Sequence, residues 1–181
     1  MKKTMKTTIA SVVIGANVLA GFSIASAVSE KEEIKSNRVT FFGSPASTIS
    51  NSVAIPASHG QLLFSGTVPP VLNKDGATTY ERYGDTKTQA VGILKNLEAQ
   101  LKAKGLSMKD ITYLRVYVVS DPNKGGKPDY QGWFDAYGQF FNTKENPRKT
   151  ARSTVGVESL VNSDWLIEIE AVASFKHTSK K

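Results

Sequence analysis

A chain of 181 residues that is 40% hydrophobic has material for one modest folded domain and for a core that needs no covalent staples. It has no cysteine and only two histidines, His59 and His177, which excludes disulfides, thiolate chemistry and a histidine-rich metal site. The formal charge of +7 falls to +4 once three leading lysines are set aside, and the remainder is scattered, so nucleic acid is not an expected partner.

Those lysines, Lys2, Lys3 and Lys6, precede an apolar run from about Ile9 to Ala20 and the small-residue stretch Ala25-Ser26-Ala27. This is the layout of a secretory signal peptide, with cleavage expected after Ala27; the run is too short and too punctuated by Gly and Ser for a membrane anchor. The expected product is exported to the periplasm or the exterior and keeps no membrane attachment. Residues 28–37 form a polar lead-in expected to be disordered, 38–176 the domain proper, and 177–181 a basic tail.

Along the domain, "RVTFFG" reads as a short strand, and "SVAIPASHGQLLFSGTVP" as two strands around a turn at Ala57–Gly60. Residues 69–84, with Pro69, Pro70 and Asp75-Gly76, read as a loop. A helix follows, with Ala90, Ile93, Leu94, Leu97 and Leu101 on one face; Thr86 and Gln89 suggest a capping box and Gly105 a stop. "DITYLRVYVVSDP" is a strand whose Leu114, Val116 and Val118 face the helices, while Tyr113, Arg115 and Tyr117 face the other way. After a Gly/Pro turn, a second helix carries Trp133, Phe134, Tyr137, Phe140 and Phe141, expected to fill the core. Arg152–Val157 and Leu166–Phe175 are the last two strands. The order is that of an α+β fold, two helices covering one face of a mixed sheet. The opposite face mixes apolar groups (Leu166, Val172, Tyr117) with charges (Arg115, Glu168, Glu170), a composition that predicts burial against copies of the same chain.

Three features carry possible chemistry. Arg152 stands at a strand start between the small residues Ala151 and Ser153, where its fork could take a carboxylate in two parallel bonds. Glu168 and Glu170 alternate with Ile167 and Ile169, so they share a face and repel. One of them is then expected to hold its proton more tightly and to exchange it with water, unless Arg115 or Arg152 neutralises both. Gly66, after Ser65 at a strand end, lets the backbone approach a ligand closely.

From about Asn51 to Phe175 the chain resembles the Rid (reactive intermediate deaminase, YjgF-like) family. The resemblance lies in "LLFSGTVP", both helices, "DITYLRVYVVSD" and above all the closing pair "ARSTVGVESL…LIEIEAVA". It implies a chorismate-mutase-like fold and a homotrimer with ligand clefts between subunits. It further implies hydrolysis of imines or enamines of the 2-aminoacrylate type to 2-oxo acids and ammonia, without metal or organic cofactor. Arg152 would hold the substrate carboxylate, Glu168 would manage the water, and Ser65 and Gly66 would line the cleft. Tyr117, on the glutamates' face, joins them as a candidate ligand contact. Relative to the family pattern, Ser52 stands for a tyrosine, Phe134 for an asparagine, Thr154 for a cysteine and Ala151 for a proline. The alternative reading is a non-catalytic trimer that binds small carboxylates in the cell envelope.

Overall fold

The protein is described by a computed structural model covering residues 34–35 and 37–177; the expected export signal, most of the polar lead-in and the end of the basic tail lie outside the described residues. Two strands make the spine, β4 (Ile111–Asp121) and β7 (Ile167–Lys176), running antiparallel. Their alternation decides the architecture. Leu114, Val116, Val118, Ile167 and Ile169 are fully buried, while the residues between them are exposed or half-buried. β3 (His59–Thr67) pairs antiparallel with the other edge of β7, and β6 (Ala151–Val157) pairs parallel with β4. The sheet order is β3-β7-β4-β6, and the two-residue β5 (Lys127–Pro128) pairs the end of β4.

Two helices, α2 (Thr86–Lys102) and α3 (Tyr130–Tyr137), lie on the buried face. Ile93, Leu94, Leu97 and Leu101 from α2 meet Trp133, Ala136 and Tyr137 from α3 and the inward strand residues in one core. The helix stripe and the strand alternation read from the sequence therefore meet as expected.

The structure corrects the sequence reading in four places. The strand Ser52–Ala54 (β2) does not form a hairpin with β3; it pairs with β1 (Thr40–Phe42). β7 already occupies one edge of β3 from His59 onward. The segment before β2 is drawn to the start of β6 instead: Ser50 bridges Ala151, its N–H donates to the Thr150 carbonyl, and its hydroxyl donates to that of Lys149. The loop over 69–84 holds a short helix, α1 (Thr79–Tyr83), with its own capping box between Thr78 and Glu81. The cap of α2 is Asp85, which accepts from the Thr88 N–H at 2.8 Å, rather than Thr86. Gln89 is buried and ties the helix to the start of β7, donating to Gly84 and Asp164 carbonyls and accepting from the Leu166 N–H. Finally, Phe134 is not core: 41% of it is exposed.

Candidate functional site

Strand pairing determines where each candidate side chain goes. Arg152 lies opposite Leu114 in the parallel ladder, so its side chain points toward the helices. It ends among three rings of α3, with its guanidinium carbon 4.5 Å from the Tyr137 centroid, 4.9 Å from Phe134 and 5.4 Å from Trp133. Trp133 and Tyr137 are fixed from behind. The indole N–H donates to Thr154 Oγ1 at 3.2 Å, the Tyr137 hydroxyl accepts from the Thr150 N–H at 3.1 Å, and Tyr137 stacks on Phe141 at 4.7 Å. Thr154, in the place of the family's cysteine, is thus committed to holding the tryptophan.

The half-buried guanidinium has no acidic partner among the described residues, and its Nη1 is buried without a hydrogen-bond acceptor. Burial lowers its pKa from the ordinary arginine value, but an arginine stays a cation there. Aromatic faces attract a cation without neutralising it, so the site lacks an anion. A cavity of about 230 Å³ opens beside it, lined by Thr48, Phe134, Tyr137, Phe141, Asn142 and Arg152.

The second half lies across the sheet. Glu168 faces Tyr117, and Glu170 faces Arg115, on the side without helices. Glu170 is paired: Arg115 Nη1 donates to it at 3.0 Å and the Tyr117 hydroxyl at 3.1 Å. Glu168 has no such partner among the described residues. Burial, and then the charge of Glu170, raise its pKa above the ordinary carboxylate value. Its carboxylate passes directly over the backbone of Gly66, where a β carbon would sit 1.7 Å from Oε1. A side chain at this position would push the carboxylate aside. The register of β3 slips between Phe64 and Thr67, and this irregularity turns the exposed Ser65 and Gly66 out at the edge. A cavity of about 510 Å³ runs along this edge beneath Asn96 and Gln100 of α2 and Lys104 just past its end.

The structure therefore brings Glu168, Ser65 and Gly66 together, with Tyr117 linked to them through Glu170. Arg152 is not with them. Within one chain it lies on the opposite face and on the opposite edge strand, three strand spacings or roughly 14 Å from β3. Two things were missed from sequence. Helical spacing assigns the ring cage to core packing, although the adjacent pair Trp133-Phe134 cannot both point inward from one helix, a hint that one ring has another use. The gathering of Arg38, Arg148 and Lys176 around a separate cavity of about 510 Å³, beside Phe41 and Phe175, left no trace in local composition.

Comparison with known proteins gives this geometry its context. The sequence profile of the family described as Endoribonuclease L-PSP matches residues 44–175. A RutC family protein of Pyrococcus horikoshii is 34% identical over 114 residues, which cover 63% of this chain and 79% of that one. The crystal structure of YyfB from Yersinia pestis, described as a conserved Rid family protein of unknown function, superposes with a TM-score of 0.56 at 26% identity, covering 76% of this chain and 98% of that one. The YjgF gene product of E. coli is 35% identical over 62% of this chain and 79% of its own, with a TM-score of 0.47. The family profile over residues 44–175, the superposition on YyfB, the sheet order and the helices on one face lead to one conclusion: the chain belongs to the YjgF/Rid family and has its chorismate-mutase-like fold.

Proposed function

We propose that the protein is an imine or enamine deaminase that releases ammonia from 2-imino acids in clefts shared between subunits of a homotrimer. The observation that carries this reading is the uncompensated guanidinium of Arg152. A half-buried cation with an orphaned donor is costly to keep, and a substrate carboxylate supplies what it lacks. The separation of the two halves supports a shared cleft. Arg152 sits on one outer strand, β6, facing the helices, while Glu168 of β7 faces the other way over Gly66 of the far outer strand, β3, so a neighbouring copy is the partner proposed to join them. The helix-free face fits such an assembly, since it leaves Leu63 71% and Val155 43% exposed beside a charged network. Leu166, expected on this surface, is buried and adds nothing to it.

In the proposed reaction the carboxylate is held by Arg152 of one subunit. Water adds to the imine carbon as Glu168 of the next accepts its proton and passes it to nitrogen, giving a carbinolamine. Glu168 then takes the hydroxyl proton and delivers it to the amino nitrogen as the carbon–nitrogen bond breaks, giving 2-oxo acid and ammonia. A carboxyl group whose pKa is raised by burial, and then by the charge of Glu170, holds a proton more readily than an ordinary carboxylate, which suits both transfers. The test is ammonia release from imino acids generated in situ by an amino-acid oxidase. The wild type accelerates it, and Arg152→Ala loses about 100-fold in kcat/KM, the size expected for a lost charge-assisted pair. No acceleration by wild type, while 2-oxo acids still raise its melting temperature, would leave only the carboxylate binder. A monomer by sedimentation at micromolar concentration would sink the shared cleft.

A second reading has one observation in its favour. The family's description names RNA cleavage, and Arg38, Arg148 and Lys176 surround a cavity that also holds Phe41 and Phe175, with Arg148 5.1 Å over the Phe41 ring. Basic and aromatic groups interleaved in this way suit a single-stranded nucleic acid. Salt-dependent binding of an RNA oligonucleotide, lost in Arg148→Ala, would support it. Export from the cytoplasm, expected from the N-terminal sequence, belongs with the proposals; an intact mass beginning at Val28 would establish it.

A further inference from the structure

We infer that Phe134 sets the substrate class of this site: imino acids with a branched or aromatic side chain, in preference to small or polar ones. The inference rests on the carboxylate-anchoring role proposed for Arg152. Of the three rings around the guanidinium, two are built into the molecule. Trp133 is fully buried and bonded to Thr154, and Tyr137 is 2% exposed, bonded to Thr150 and stacked on Phe141. Either would shield the cation from the core side. Phe134 is different, since 41% of its surface is open, it makes no ring–ring pair, and its centroid is 4.9 Å from the guanidinium carbon on the wall of the 230 Å³ cavity. Nothing in the packing of α3 requires a large apolar side chain at an outward position.

A ligand whose carboxylate pairs with Arg152 carries its side chain on the atom next to that carboxylate, within reach of this ring. The rest of the wall is Gly138, the polar Thr48 and Asn142, and the almost wholly covered Tyr137 and Phe141, so Phe134 supplies its open apolar area. Such a surface rewards apolar substituents and gives a charged one no partner, because the single cation on the wall is already engaged by the carboxylate. The cavity is also large for the smallest substrates: the side chain of 2-iminopropionate would leave the open face of Phe134 wet.

The experiment compares imines of leucine, phenylalanine, alanine and aspartate in the ammonia-release assay. In parallel, the matching 2-oxo acids are titrated calorimetrically into wild type, Phe134→Asn and Phe134→Leu. Wild type is expected to favour the leucine and phenylalanine forms over the alanine form by about tenfold or more, in kcat/KM and in Kd alike. Phe134→Asn brings that ratio close to unity, whereas Phe134→Leu retains most of it. A flat wild-type ratio, or a ratio that survives Phe134→Asn, overturns the inference. Its failure is separable from that of the deaminase reading. Absent turnover with the apolar preference intact in Kd overturns the reaction alone; turnover with a flat ratio overturns the assignment of Phe134 alone.

Discussion

The two faces of one sheet handle charge in opposite ways. On the helix-free face Arg115, Tyr117 and Glu170 satisfy each other at 3.0–3.1 Å, leaving Glu168 beside an ion pair. On the helix face Arg152 is surrounded by rings that lower its exposure to water and give it no counter-charge. A network that closes on itself is structure; a charge left open in an apolar setting is a place where something else binds. Both arise from strands with the same alternation, so the difference lies in what is packed against them.

The sharpest way to break this contrast is Arg152→Met, which fills the cage with an apolar chain of similar length. If the guanidinium serves a ligand, affinity for 2-oxo acids falls by about 100-fold or more, while the melting temperature holds or rises because an unpaired buried cation has gone. Calorimetry and thermal unfolding on the same preparation decide it. A loss of many degrees with no change in affinity would make Arg152 a structural residue. Arg152→Lys is no substitute for wild type here, since an ammonium cannot present two parallel donors to a carboxylate.

On the other face the corresponding perturbation is Gly66→Ala. The added methyl would fall 1.7 Å from Glu168 Oε1, but the far end of a flexible side chain can swing away, so the fold survives with a modest loss of stability. What moves is the carboxylate. Turnover is expected to fall by roughly tenfold or more, since small misplacement of a reacting group is costly. Binding of 2-oxo acids, governed by Arg152, changes little. Equal losses in binding and turnover would mean that Gly66 contacts the ligand directly and that Glu168 is not the proton carrier.

The sequence made one of these faces far more legible than the other. Alternation in "LIEIEAVA" places both glutamates on one side and both isoleucines in the core, because strand side chains have a strict period of two. The Arg115–Glu170 partnership needed only the register of β4 against β7. Arg152 was legible as a residue type at a strand start, and its resemblance to a family arginine gave it a role. Its face was not legible, since that depends on the parallel pairing of β6 with β4 across the intervening α3, a long-range register no local pattern specifies. The same gap explains β2: a tight turn argues for pairing with β3, yet β2 pairs with β1, and the neighbouring Ser50 with the start of β6. Phe134 was misassigned because helical spacing counts aromatics without saying which ring faces out.

The smallest expected effect concerns Glu168 itself, and it runs against the intuition that removing a site residue harms the protein. Burial first, and the charge of Glu170 second, raise its folded-state pKa above the value it has in the unfolded chain. Ionisation is then easier in the unfolded state, so the protonated carboxyl is the form compatible with full stability. That stability is present below the ordinary carboxylate pKa and is lost as pH rises through the raised one. Glu168→Gln, uncharged at every pH, is therefore expected to melt slightly above wild type at pH 7 to 8, with the difference vanishing near pH 4. Thermal unfolding across that range, on wild type and variant with matched oligomeric state, checks the sign. A wild type that is the more stable at neutral pH would mean that Glu168 has gained a cationic partner in the assembled protein. The nearest uncompensated cation is Arg152 of a neighbouring subunit, so that outcome would locate the shared cleft while removing the free carboxyl group that the proton transfers require.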